Sequence, residues 1–165
     1  MTQGYRRHAM FPIHTKNSIV LPNVNTPDRV QSVLSTIEKE LRSVRARKVQ
    51  IDGKSIAFRG GILRLVSNWN LLVGITKGRI SVHLEPNVVK VDYELWFTEL
   101  LVAAIAMSCF FGVAGRIYLR QAPGVAVCVG LLAFTFFFGL NMLFAKLGFR
   151  AFLKECAEQS GSSMP

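Results

Sequence analysis

Acidic residues are scarce in this chain: 10 Asp and Glu stand against 20 Lys and Arg over 165 residues, for a formal charge of +10. None of those acids is paired at a spacing suited to acid and base roles, which leaves general acid–base chemistry without carriers. Cysteine is scarcer still. Cys109, Cys128 and Cys156 show no paired spacing, which argues against a disulfide framework and against a Cys-based metal site. The three histidines, His8, His14 and His83, lack metal-ligand spacing and read as surface or packing residues. The glycine-containing stretches "RGG" at 59–61 and "TKGR" at 76–79 lack a Walker pattern and precede no helix, so they read as turns. No nucleophile-elbow serine occurs. A non-enzyme with no cofactor and no metal is the expectation.

A secretory signal is also missing from "MTQGYRRHAMFPIHTKNSIV", which is basic but has no continuous apolar core. What the chain does have is length without charge. Residues 95–115 carry Glu99 as their single charge, and residues 125–145 carry none. Each run is about 31 Å long as a helix at 1.5 Å per residue, matching a hydrocarbon core of roughly 30 Å. Only residues 1–94 could cover such a hairpin in a soluble protein, so both runs are read as transmembrane helices joined by a connector at 116–124. The first is expected to serve as an uncleaved anchor. Tyr93 and Trp96 at one end of the first run and Tyr118 at the other suit the headgroup level as interfacial anchors.

Charge placement sets the expected orientation. Near the spans, Lys77, Arg79, Lys90, Lys146, Arg150 and Lys154 lie on the side of the termini, against Arg116 and Arg120 in the connector. By the positive-inside rule both termini face the cytoplasm, in an integral membrane protein whose particular membrane is not specified.

Residues 26–94 read as an α+β domain. In "TPDRVQSVLSTIEKELRSVRARK", Thr26 caps, Pro27 opens the helix, and Val30, Val33, Leu34, Ile37, Leu41 and Val44 recur at helical spacing, which predicts a helix over 26–48. Beyond it the apolar period changes to two. Asp52-Gly53 signals a hairpin, and "ILRLV", "LLVGI", "RISVHL" and "VVKVDYEL" follow between turns. The expected fold class is one amphipathic helix on an antiparallel meander of five or six strands, followed by an α-helical transmembrane hairpin. Residues 1–25 are expected to form a basic segment, extended or disordered, and 146–165 a short basic and then flexible tail. "SNWN" around Trp69 reads as a turn with the indole folded over the sheet.

Several residues are candidates for binding or packing. Arg42, Arg45, Arg47 and Lys48 at the helix end, with Lys146 and Arg150 beside the second span, form a basic set suited to anionic lipid, where each charge contributes about 1 kcal/mol. Scattered charge without interleaved aromatics argues against nucleic acid. Ala104, Ser108 and Gly112 make a small-residue stripe on the first span, and Ala126 and Gly130 a shorter one on the second. These suit close helix packing, within the hairpin or between copies. Folding the hairpin between Arg116 and Val125 puts Glu99 level with about residue 142, so Glu99 and Asn141 are expected to form a shallow polar layer, with Glu99 able to pair Lys146 or Arg150. The function that follows is a non-enzymatic accessory, regulatory or scaffold subunit that binds a partner protein or the anionic membrane surface. The alternative is a subunit of an oligomeric channel or transporter with its polar layer at Glu99 and Asn141.

Overall fold

The computed structural model describes residues 13–22, 27–60, 72, 74–85, 88–118 and 122–162. Five strands, β1 (His14–Pro22), β2 (Arg47–Asp52), β3 (Ser55–Arg59), β4 (Lys77–Glu85) and β5 (Val88–Trp96), form one antiparallel sheet of order β1-β5-β4-β3-β2. The meander β2 to β5 follows from the period-two patterning, and Gly53, at φ +57, turns the β2–β3 hairpin where Asp52 pairs with Ser55. Helix α1 (Pro27–Ser43) packs its Val30, Val33, Leu34, Ile37 and Leu41 on one sheet face, against Ile56, Ile80, Val82 and Val91. Strand alternation supplies that face because residues two apart point the same way. Gly78 belongs to it as well: a Cβ there would collide with the Phe58 ring.

Helix α2 (Thr98–Tyr118) follows β5 after a single residue, Phe97, itself buried. The expected start of the apolar helix at 95 is therefore corrected to 98. Leu95 and Phe97 are fully buried in the sheet core, so the strand pattern holds the chain extended up to Trp96. Then come α3 (Pro123–Phe134), a π-helical turn (Thr135–Leu140) and α4 (Asn141–Ser162), which run as one continuous helix of 38 residues from Pro123 to Ser160. Two helices, Thr98–Ile117 and Pro123–Ser160, are thus long and apolar enough to cross a membrane. Both present large apolar side chains outward, with Phe110, Ile117, Val127, Leu131, Leu132 and Phe136 exposed along them.

Three further boundaries differ from expectation. The N-terminal segment is not set apart from the domain: β1 pairs with β5 in register from His14–Trp96 to Pro22–Val88 and closes one edge of the sheet. The tail is not flexible through 162: Phe149, Leu153 and Cys156 of α4 are buried against α1 and the sheet. The Phe149 ring lies 5.7 Å from Phe58, 5.4 Å from Tyr93 and 5.9 Å from Phe152 between centroids. Helix α1 ends five residues early, at Ser43, in a Schellman motif in which Ala46 N–H donates to Leu41 O at 2.8 Å and Arg45 N–H to Arg42 O at 2.9 Å. Arg45 takes the left-handed position, φ 60, that glycine usually fills. The expected cap Thr26 and the expected strand and turn through "ILRLV" and Trp69 lie outside the described residues. In "LLVGI", Leu72 and Ile75 are buried but form a turn, with Ile75 N–H donating to Leu72 O at 3.1 Å.

Candidate functional site

The sheet face opposite the core is polar, and its charges divide by position. Toward the far ends of β4 and β5, cations meet acids: His83 Nε2 lies 3.6 Å from Asp92, and Lys90 lies 3.9 Å from Glu85 and 4.0 Å from Asp92. One row in from α2, Lys16 pairs with Glu94. The last row, next to the start of α2, is different. Register places His14 opposite Trp96, Trp96 opposite Lys77, Lys77 opposite Arg59 and Arg59 opposite Arg47. Residues directly opposite one another share a face, so one row crosses all five strands and puts three cations side by side.

A bulge adds a fourth. Arg47 and Lys48 are consecutive, and regular pleating would turn them to opposite faces. The β2–β3 register shifts between Arg47 and Gln50, and Lys48 adopts φ 49. A bulge re-aims a side chain in this way, and here both Arg47 and Lys48 line one cavity of about 390 Å³. Arg59, Lys77, Trp96 and Glu99 line it too. The ammonium of Lys77 sits 4.7 Å from the Trp96 ring centroid, and His14 stacks on the same indole at 6.2 Å. Among the described residues none of the four cations is held in an ion pair. The floor is fixed by backbone: Thr76 N–H donates to Trp96 O at 2.8 Å, and Gly60 N–H donates to Thr76 O at 3.1 Å. A side chain at Gly60 would strike the Ile75 carbonyl.

Glu99 stands in the first turn of α2, where its charge complements the positive end of the helix dipole. Its amide donates to Thr76 Oγ1 at 2.9 Å, satisfying one of the orphan donors at that helix end. Asn141 turns back on its own helix, its Nδ2 donating to Phe137 O at 2.6 Å.

The other expected site residues scatter. Tyr93 is corrected outright: it is buried in the sheet core with Phe149 and cannot serve as an interfacial anchor. Burial pushes its phenol above the usual value, against the lowering effects of Arg150 and an Asn17 hydrogen bond. Trp96 stays half-buried at the sheet end, and Tyr118 closes α2. Of the basic set, Arg47 and Lys48 line the cavity, whereas Arg42 pairs with Glu38 at 2.8 Å along α1, and Lys146 and Arg150 lie on α4.

Ser108, Gly112, Ala126 and Gly130 come together at the α2–α3 seam, and Ala104 is buried one turn before Ser108. A Cβ on Gly112 would lie 3.3 Å from Ala126 O, and one on Gly130 would lie 3.2 Å from Ser108 O, so glycine permits the close approach. Ser108 spends its hydroxyl within its own helix, donating to Ala104 O at 2.6 Å.

Sequence reasoning missed Arg59 and Lys77 as site residues. Both fall in stretches expected to be turns, whereas Arg59 ends β3 and Lys77 opens β4, and only the cross-strand register joins them. The glycines after Arg59 and Lys77 made both stretches read as turns and hid which strand ends meet. No protein-family model matches this chain, and no curated protein or solved structure matches it either, so the geometry of this basic cavity is what bears on function.

Proposed function

We propose that this chain is a two-span integral membrane protein with both termini in the cytoplasm, acting as a non-enzymatic accessory protein whose sheet domain binds the anionic membrane surface. One observation carries the reading: the basic row Arg47–Arg59–Lys77, with Trp96 beside it, ends two residues before an apolar helix long enough to cross a bilayer. If α2 enters the membrane at Thr98, that row lies at headgroup level. Cations there attract anionic lipid at about 1 kcal/mol each, and an indole favours the same depth. On the rest of the polar face His83, Lys90 and Lys16 meet acids and Arg79 stands alone, so among the described residues no other row gathers cations side by side.

Reconstitution tests this directly. With Trp69 replaced by Phe, Trp96 is the one remaining tryptophan of the two in the chain. In vesicles containing a headgroup spin-labelled lipid, its fluorescence should be quenched more strongly when phosphatidylglycerol replaces phosphatidylcholine, and the difference should shrink as salt is raised. Equal quenching in both lipids at low salt would sink the reading.

A further inference from the structure

The basic cavity has features that a merely solvated charged surface lacks. Arg47, Arg59 and Lys77 stand directly opposite one another on three adjacent strands, a like-charge ladder that destabilises the sheet. Lys48 holds a left-handed backbone conformation that a non-glycine residue adopts only under constraint, and that conformation is what brings it to the same cavity as Arg47. Among the described residues the cavity's four cations face one carboxylate, Glu99, an excess of three positive charges. Elsewhere on this sheet face Lys16 meets Glu94, Lys90 meets Glu85 and Asp92, and Arg79 is a single cation with no second one directly opposite it. Unpaired cations, a strained lysine and a rigid backbone floor together describe a pre-formed anion site rather than a charged rim.

We propose that this cavity, lined by Arg47, Lys48, Arg59 and Lys77, binds a phosphate monoester, presented as a lipid headgroup at the membrane surface. The inference rests on the membrane reading above for the source of the ligand, but not for its chemistry. Guanidinium groups match phosphate oxygens with two parallel donors, and the lysines add point charge. A phosphate monoester carries about −1.5 to −2 charge at neutral pH, with three acceptor oxygens, so it matches an excess of three positive charges better than a singly charged phosphodiester does. Trp96 and Thr98 lead straight into the apolar helix, which leaves acyl chains continuous with α2.

The test uses the full chain in neutral detergent, with native mass spectrometry of retained lipid. Equimolar phosphatidic acid, phosphatidylglycerol and phosphatidylcholine with matched acyl chains are offered together. Phosphatidic acid should be retained about fivefold or more over phosphatidylglycerol, the factor that 1 kcal/mol represents. Arg59→Gln and Lys77→Gln should each abolish that preference, while Arg79→Gln, one row away and outside the cavity, should keep it. Lys48→Gly guards against misfolding as an explanation, because glycine relieves the left-handed backbone: this variant should unfold at a higher temperature and still lose the preference.

Adding glycerol 3-phosphate separates the two sources. Failure to displace the lipid assigns the site to membrane phosphate, and full displacement assigns it to a soluble phosphate monoester. Equal retention of phosphatidic acid and phosphatidylglycerol overturns the cavity proposal and leaves the surface reading standing. Equal retention of all three lipids overturns both.

Discussion

At the scale of single residues, Cys156 shows how much burial changes a side chain. It lies among α1 and α4 residues of the core, and burial first, with Glu40 and Glu155 adding to it, pushes its thiol up to about 12 from the ordinary 9.0. The folded chain therefore keeps a proton that the unfolded chain gives up above pH 9. Stability is fully present below that value and falls as pH rises toward 12, with the raised Tyr93 phenol acting in the same direction. Chemical denaturation across this alkaline range should show a loss of stability that is shallower in Cys156→Ala; parallel losses in the two proteins would refute the assignment. Arg45 teaches a different lesson about legibility. A helix stop is easiest to read when glycine takes the left-handed position, and here an arginine takes it, so the amphipathic pattern and the basic last turn both pointed past the true end.

At the scale of elements, local pattern served well where each element makes its own face and poorly where distant elements complete one another. The α1 stripe, the Asp52-Gly53 hairpin and the two apolar runs were all legible because period and length are properties of the segment itself. The C-terminal half of α4 carried an equally local signal, Ala145, Phe149, Leu153, Cys156 and Ala157 at helical spacing, all buried in the structure. Its charges, Lys146, Arg150 and Lys154, made the segment read as a membrane flank and hid that stripe. Strand β1 had almost no signal of its own, since an edge strand needs only one neighbour to supply its ladder, and that neighbour lies about seventy residues along the chain. The weight of α4 in the core can be measured. Phe149→Ala removes a fully buried ring that stacks between Phe58 and Tyr93, and should cost about 3–5 kcal/mol in denaturant unfolding of the sheet domain. A cost below 1 kcal/mol would mean that the helix end only rests on the sheet.

At the scale of the whole molecule, the continuous helix from Pro123 to Ser160 is a single rod of about 57 Å at 1.5 Å per residue, nearly twice the roughly 30 Å of a hydrocarbon core. Its apolar part and its core-packed part share one backbone, so the sheet domain has no hinge there about which to tumble. Hydrogen exchange of the full chain in detergent should find 141–153 protected as one block; a fast-exchanging break near Lys146 would show the two halves to be independent. With β5 leading into α2 through Phe97 alone, the domain is tied to the apolar helices at two points, and these hold the Arg47–Arg59–Lys77 row at a fixed height relative to α2.

The same two ties set an order of assembly. Strands β1 to β5 and α1 are made first, yet the core face they form, with Phe58 and Tyr93 at its centre, is covered only when Phe149 and Leu153 arrive. Between those events the chain must make and place both apolar helices. A growing chain therefore leaves the part of the sheet face beyond α1 uncovered until both apolar helices are made, and unfinished domains are prone to aggregate. Correct placement of the second apolar helix becomes a precondition for a closed domain: a chain in which it is misplaced keeps the Phe58–Tyr93 part of its sheet uncovered and open to proteolysis.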